Sequence, residues 1–305
     1  MAKYLARRIL QIIPVLIIIS VIVFLMVNVA GDPTSTMLPP TASDEERETL
    51  RDAMGLNEPL YVQYGIFISN AVKGDFGTSY KFRRSAMDVT LERMPASVEL
   101  AGISLLFSVV LAIPLGILSA KFKNSPLDII VSGFSVLGRA MPSFWVGIML
   151  ILVFAVTFKW LPVSGRGTFA NLILPSVTLA FIQAAQMIPL IRSSMLDIMH
   201  EDYIRTARSK GLAERVIILK HAFKNALVPV VTIVALQIPT LIGSSLITET
   251  VFAWPGLGQL LVQSINGQDM SVVQACIFII AIITLAANLL ADLVYCLIDP
   301  RIKYQ

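Results

Sequence analysis

Apolar residues along this chain gather into six runs, at about 9–29, 99–120, 129–158, 172–195, 228–252 and 272–298. Each is at least about 20 residues long, the length a helix needs to cross a hydrocarbon core. The pattern predicts an all-α integral membrane protein with six transmembrane helices. An even number of spans returns both termini to one side. Lys3, Arg7, Arg8, Lys121, Lys123, Arg301 and Lys303 flank the runs on that side, as do Arg192, Arg205, Arg208, Lys210, Arg215, Lys220 and Lys224. The excess of positive charge makes that side cytoplasmic, with Trp160 and Trp254 as interfacial aromatics at the far ends of the third and fifth spans.

The polar connections are unequal. Residues 30–98 form a long external segment, and a connection of that length usually has a function. Ser43-Asp44-Glu45-Glu46 reads as a capping box, with Gly55 as the stop of a short helix. Leu60–Val72 predicts a second helix ending at Gly74. A third, from about Ser85 to Met94, leads into the second span past Pro95. The expected organisation is a tail and first span over 1–29, an external helical domain over 30–98, and a five-helix core over 99–305. The core contains a cytoplasmic loop at 196–226.

Composition supports this reading and removes several function classes. The 305 residues are 56% apolar and 14% charged, with mean hydropathy +0.77 and net charge +4. Soluble domains carry charge on about a quarter of their residues. The N-terminal run is longer than the apolar part of a signal peptide, so it reads as an uncleaved anchor. Cys276 and Cys296, on one predicted helix, are about 30 Å apart, too far for a disulfide. No basic-aromatic patch suggests nucleic acid. No G-x-x-x-x-G-K-[ST] loop is present, so ATP is not bound in that way. Both histidines, His200 and His221, lie in the 196–226 loop. The spans therefore hold neither a His-based metal site nor a base for a nucleophilic serine. Ion-coupled carriers place acids within their spans. Here Glu249 and Asp292 are the candidates, each near a span end.

Two polar stripes run within the spans. Ser132, Ser135, Arg139 and Ser143 lie at i, i+3, i+7 and i+11 in the third, and Gln237, Thr240, Ser244 and Thr248 repeat that spacing in the fifth. On continuous helices each set shares a face. Gln183 and Gln186 add polarity to the fourth span. These residues are either packing contacts between helices or the lining of a translocation path. Arg139 has two readings as well: a guanidinium facing the path, able to pair with a peptide carboxylate, or a snorkelling residue on an interfacial helix over 127–139.

The 196–226 loop reads as helical through Tyr203–Lys210, broken at Gly211, and amphipathic again through Val216, Ile217 and Phe223. Ala207-x3-Gly211 followed by a helix resembles the coupling loop of binding-protein-dependent ABC import permeases. Glu201-Asp202-Tyr203-Ile204-Arg205-Thr206-Ala207-Arg208 is similar to the peptide branch of that family. So are Gly31-Asp32-Pro33, Gly55-Leu56 with Pro59-Leu60, Gly74-Asp75-Phe76-Gly77, Pro162-Val163-Ser164-Gly165-Arg166, Trp254-Pro255-Gly256-Leu257-Gly258 and Asp299-Pro300-Arg301. The chain resembles a dipeptide, oligopeptide or nickel-type permease subunit along its whole length, most of all the dipeptide-permease subunit with the long external loop.

The resemblance implies the type I importer permease fold in the cell inner membrane and a heteromer. Its other members would be a second homologous permease, two ABC ATPases that bind ATP and Mg, and an external solute-binding protein. This chain itself would hold no cofactor. Glu201, Asp202, Tyr203, Arg205, Thr206, Ala207, Arg208, Lys210, Gly211 and Leu212 would form the coupling loop that inserts into a groove on the ATPase. Arg205-Thr206-Ala207 stands where the general motif has Glu-Ala-Ala, and Lys224 stands at its proline. The grip is therefore expected from packing around Ala207 and Leu212 and from the basic residues. Asp75, Phe76, Trp254, Pro255 and Gly256 are expected at an external gate or binding-protein contact. Dipeptides, longer peptides, glutathione, nickel chelates and haem are all cargo of such relatives. A stand-alone ion-coupled carrier and a membrane-embedded enzyme are the rival classes.

Overall fold

The computed structural model describes residues 2–30, 43–53 and 55–298. The Gly31-Asp32-Pro33 and Asp299-Pro300-Arg301 motifs and Lys303 lie outside them. Among the described residues the chain is helical, with one isolated bridge between Thr78 and Ser85. Four helical stretches are long and apolar enough to cross a membrane: Ala86–Lys121, Phe169–Met199, Glu214–Val251 and Met270–Val294. A bent pair of helices makes a fifth if it is counted as one span, and the first helix carries a shorter apolar stretch, Leu10–Met26.

The chain divides into two compact units. One comprises Met1–Ala96 with Pro255–Leu285, the other Ser97–Trp254 with Ala286–Gln305. In the first unit α1 (Ala2–Ala30) is followed by α2 (Asp44–Ala53) and α3 (Leu60–Val72). The capping box closes as the sequence predicts. Ser43 N donates to Glu46 Oε2 at 2.9 Å and Glu46 N donates to Ser43 Oγ at 3.2 Å. Gly55, at φ +67°, lies just beyond α2, where a left-handed residue is easiest for glycine.

Aromatic contacts build the core of this unit. Phe24 of α1 meets Tyr64 edge-on at 5.5 Å, Phe67 lies 6.4 Å from Phe76, and Phe76 lies 5.4 Å from Phe278. Ala71, Ala86, Val89, Leu260, Val272 and Cys276 close around them. The segment after α3 is also pinned by polar groups. Ser79 Oγ donates to Asp269 Oδ2 at 2.5 Å, and burial together with the charge of Asp269 pushes the Tyr80 phenol above its ordinary pKa.

α4 (Ala86–Lys121) begins in the first unit and ends in the second. The expected separate helix at Ser85–Met94 is its first part, because Pro95 does not end it. Pro95 is exposed, whereas the buried positions Ala86, Val89, Thr90, Ala96, Leu100, Ser104 and Ser108 follow one another along the helix. The proline ring thus lies on the exposed face of the helix, away from the packed one.

The third apolar run is not one helix. α5 (Pro126–Ala140) and α6 (Ser143–Leu150), the latter continuing as a π-helix over Ile151–Thr157, meet at 109°. Met141 is extended (φ −87°, ψ 132°) before Pro142, whose ring disfavours the helical region for the residue preceding it. The remaining elements are α7 (Phe169–Met199), α8 (Asp202–Ser209), a turn at Glu214–Val216 leading through a π-segment (Ile217–Ala222) into α9 (Phe223–Val251), α10 (Leu257–Asn266) and α11 (Met270–Ile298).

One cluster organises the second unit. Ala112 and Ala120 of α4, Val131 of α5, and Ala184, Met187, Ile188, Ile191 and Met195 of α7 pack with Ala226 and Val230 of α9. Close approach depends on small residues. A Cβ on Gly116 would sit 2.7 Å from Ile191, and one on Gly138 would sit 2.5 Å from Ala185. Small residues at such contacts let membrane helices pack through dispersion where no hydrophobic force draws them together.

Candidate coupling and translocation site

The loop that the sequence singles out folds as a two-faced helix. α8 starts after Glu201, an N-cap whose side chain makes no cap bond, and ends at Lys210. Gly211 follows at φ +75°, with its N–H on Arg208 O at 2.9 Å. Leu212 N reaches Ala207 O at 3.4 Å. Ile204 and Ala207 point inward and join the cluster of α4, α5, α7 and α9, together with Ile217, Ile218 and Ala222. Glu201, Asp202, Tyr203, Arg205, Thr206, Arg208, Lys210, Gly211 and Leu212 are exposed.

The expectation that Ala207 packs against an outside partner is therefore corrected. At i, i+3 spacing from Ile204 it lies on the inward stripe, 7% exposed, and it fastens the helix to its own chain. Leu212, 41% exposed, is the apolar side chain of the two that remains available. The turn is braced by Arg208, whose Nε and Nη2 donate to the Glu214 carboxylate at 3.3 and 2.9 Å. That hydrogen-bonded partner raises the guanidinium's pKa above its ordinary value. Asn225 Nδ2 donates to Tyr203 Oη at 3.1 Å, tying α8 to the start of α9.

The two polar stripes fare differently. The bend at Met141 separates Ser143 from Ser132, Ser135 and Arg139, so the single face expected across them does not exist. Ser135 is buried and Ser132 exposed. Arg139 is exposed in the last turn of α5, where its Nε donates to Ser135 O at 3.2 Å. The α9 stripe lies on an unbroken helix. Thr240 Oγ1 donates to Gln237 Oε1 at 3.0 Å and accepts from Gln183 Nε2 of α7 at 3.3 Å. Gln183 Oε1 is buried without a hydrogen-bond partner among the described residues, and so is Thr248 Oγ1. Gln186 is exposed, and Ser244 Oγ turns back to Leu241 O at 3.2 Å.

Of the expected external residues, Asp75 is exposed and Phe76 is core. Asp75 Oδ1 accepts from Gly77 N at 2.9 Å in a local turn. Trp254 is packed inside the chain. It is 1% exposed, with the Arg166 guanidinium 5.7 Å from its ring centroid. Arg166 also pairs with Glu99, its Nε at 2.9 Å. Gly165 N donates to Phe252 O at 3.0 Å, so the turn before α7 wraps the end of α9. Trp160, by contrast, is 69% exposed and stacks on Phe158 at 4.6 Å. Pro255 is half-buried, and Gly256 is the buried N-cap residue of α10. Glu249, placed by its sequence position near a span end, is fully buried.

Sequence reasoning missed one feature. Asp128, buried in the first turn of α5, receives Arg192 of α7 bidentately, Nε to Oδ1 at 2.8 Å and Nη2 to Oδ2 at 2.7 Å. Ser119 Oγ of α4 donates to Oδ1 at 2.5 Å and Asn124 N to Oδ2 at 2.9 Å. The available signal was a lone acid inside a polar-poor stretch, which is by default a functional position in a membrane protein. Among the described residues no group of three or more His, Cys, Asp or Glu side chains is placed to hold a metal.

Several apolar helices long enough to cross a membrane, with a loop helix anchored among them and open on its charged face, define a membrane-embedded component. Comparison with known proteins narrows the class. The family model for binding-protein-dependent transport system inner membrane components matches residues 112–304, and the model for the N-terminal part of such components matches residues 1–101. The chain belongs to this family. It is an inner-membrane transport subunit of an ABC importer, not an enzyme, and the ATPase is a separate partner. It is 40% identical over 316 residues, covering all of both chains, to the oligopeptide transport system permease protein AppB of Bacillus subtilis (strain 168). It is also 40% identical over 306 residues, again covering all of both, to the glutathione transport system permease protein GsiC of Escherichia coli (strain K12). A structure of the MetNI methionine ABC transporter, in an inward-facing conformation, matches with TM-score 0.61 and 20% identity, over 69% of this chain and 96% of that chain. That last likeness shows the fold alone.

Proposed function

We propose that this chain moves short peptides (dipeptides, oligopeptides or glutathione) from an external binding protein to the cytoplasm, paired with a second related permease and driven by two ATPases. The observation that carries the reading is the two-faced α8. Its apolar side is fixed in the core shared by α4, α5, α7 and α9, while its charged side is left open. A push on that open face is felt by four helices at once. α8 and the exposed residues through Leu212 form the coupling surface, on the cytoplasmic side with both termini, in a six-span topology whose third span is the bent pair. The Gln183–Thr240–Gln237 cluster, with Gln186, Ser244 and Thr248, lines the path. The buried amide and hydroxyl oxygens without partners are suited to transient hydrogen bonds with peptide backbone. Arg139 and Ser143 border the path at the bend. Asp75, Phe76, Trp254, Pro255 and Gly256 are assigned to the external side, each to a gate or a binding-protein contact. The 40% identities to an oligopeptide and a glutathione permease support peptide cargo over nickel chelates or haem.

The test is to identify the ligand bound to the binding protein that co-purifies with the complex, and to follow uptake of labelled trialanine and glutathione into ATP-loaded proteoliposomes. A peptide ligand and uptake of at least one probe are expected. A metal chelate or haem as the only ligand would overturn the peptide assignment.

A further inference from the structure

The Asp128–Arg192 pair joins three elements. Arg192 comes from α7, seven residues before the helix ends at Met199, and α8 starts two residues beyond the His200 cap. Asp128 comes from the first turn of α5, held there by the Ser125 cap, whose Oγ accepts from Asp128 N at 3.3 Å. Ser119 and Asn124 bring the end of α4 and the turn that follows it. Both carboxylate oxygens of Asp128 are thus occupied twice, so its hydrogen bonding is complete. Asp128 is 4% exposed, and its neighbours Ala120 and Val131 lie in the same cluster as Ile204 and Ala207 of α8.

A buried ion pair is a poor source of net stability, because desolvation offsets most of the attraction and well-packed apolar side chains do as well. It does fix geometry, since a planar fork on a carboxylate permits one relative placement of the two helices. Dispersion contacts alone would let α7 slide along α4 and α5 by small steps. The bidentate pair forbids that slide at the end of α7 from which α8 emerges.

We infer that Asp128 and Arg192 are positioning residues for transport: they make the ends of α4, α5 and α7 move with α8 as one body, so that displacement of the coupling helix reaches the translocation path undiminished. This rests on the coupling role proposed above for α8.

The experiment uses the full transporter with its ATPases, Cys276 and Cys296 replaced by Ser, and spin labels at two exposed positions, Lys123→Cys after α4 and Ser209→Cys on α8. Distances are compared without nucleotide and with ATP and orthovanadate. The inference expects the same distance in both states for the parent. In the apolar pair Asp128→Leu/Arg192→Met, which removes both charges together, ATP is expected to shift the distance by about 2 Å, the scale of ordinary interfacial helix shifts. Arg192→Lys, which keeps the charge and loses the fork, is expected to shift in the same direction. The inference is overturned if the parent distance itself changes with ATP, if the apolar pair behaves as the parent does, or if both variants fail to assemble, which would make the pair a folding element only. Failure of the underlying coupling reading looks different. It would appear as ATPase co-purification that survives disruption of α8 by Ala207→Asp, whereas the two clamp variants keep the ATPase in either case.

Discussion

Two arginine–carboxylate pairs lie near opposite ends of α7, and they teach different things. The Arg192 and Asp128 side chains are 26% and 6% exposed, with two further donors completing the carboxylate. Arg166 and Glu99 are 40% and 41% exposed, with Trp254 beneath the guanidinium. The chemistry is the same, but water reaches one pair and hardly reaches the other. At the first, loss of one partner leaves a charge facing a hydrophobic cluster. At the second, solvent takes the place of the lost partner. The end that carries α8 therefore holds the pair whose partner water cannot replace, and the turn before α7 holds the pair whose partner it can.

Breaking the comparison at its strong end should give the largest effect. Asp128→Ala strands Arg192 and is expected to cost about 3 kcal/mol, the low end for breaking a buried pair because the guanidinium is partly exposed. Thermal unfolding in detergent reads this as a lowered midpoint, and an unchanged midpoint would equate the two pairs. Ala207→Asp comes next. A carboxylate placed without a partner in the cluster of Ile204, Ile217 and Ala222 should destabilise by about 2 kcal/mol and abolish ATPase co-purification. Gly211→Ala places a Cβ at φ +75° in open space, so only the backbone term remains, about 1 kcal/mol, with uptake reduced and not lost. Glu99→Gln should be the mildest, at about 0.5 kcal/mol or less, and the difference from the parent should shrink further at high salt. A Glu99→Gln effect as large as that of Asp128→Ala would show that solvent exposure is not what separates the pairs.

Local signals were well written in the sequence. The capping box at Ser43, the α3 limits Leu60–Val72, and the break at Gly211 each depend on residues within one or two turns. Prolines were harder to read. Pro175 and Pro189 stay within α7, and Pro229 and Pro239 within α9, while Pro142 separates two helices by 109°. Neighbouring helices in a bundle can absorb a proline's missing hydrogen bond, so the dipeptide alone does not decide the outcome. For the same reason the polar stripe through Ser143 could not be seen to be broken.

Long-range partners were beyond local reading. Nothing near Asp128 announces Arg192, 64 positions away. Nothing near Trp254 announces that Arg166 lies against its ring and that the side chain is buried within the chain. The direction of Ala207 was recoverable. Its three-residue spacing from Ile204 placed both on one stripe, and the apolar member of that stripe pointed inward.

The central claim is that ATP, acting through the open face of α8, drives uptake by this chain. The most direct measurement is uptake of labelled trialanine and glutathione in proteoliposomes containing the whole complex and internal ATP, with ionophores collapsing every ion gradient. The account predicts that uptake of the accepted probe continues under ionophore and stops when the ATPases are omitted. Uptake by this chain alone that vanishes with the gradient would contradict it.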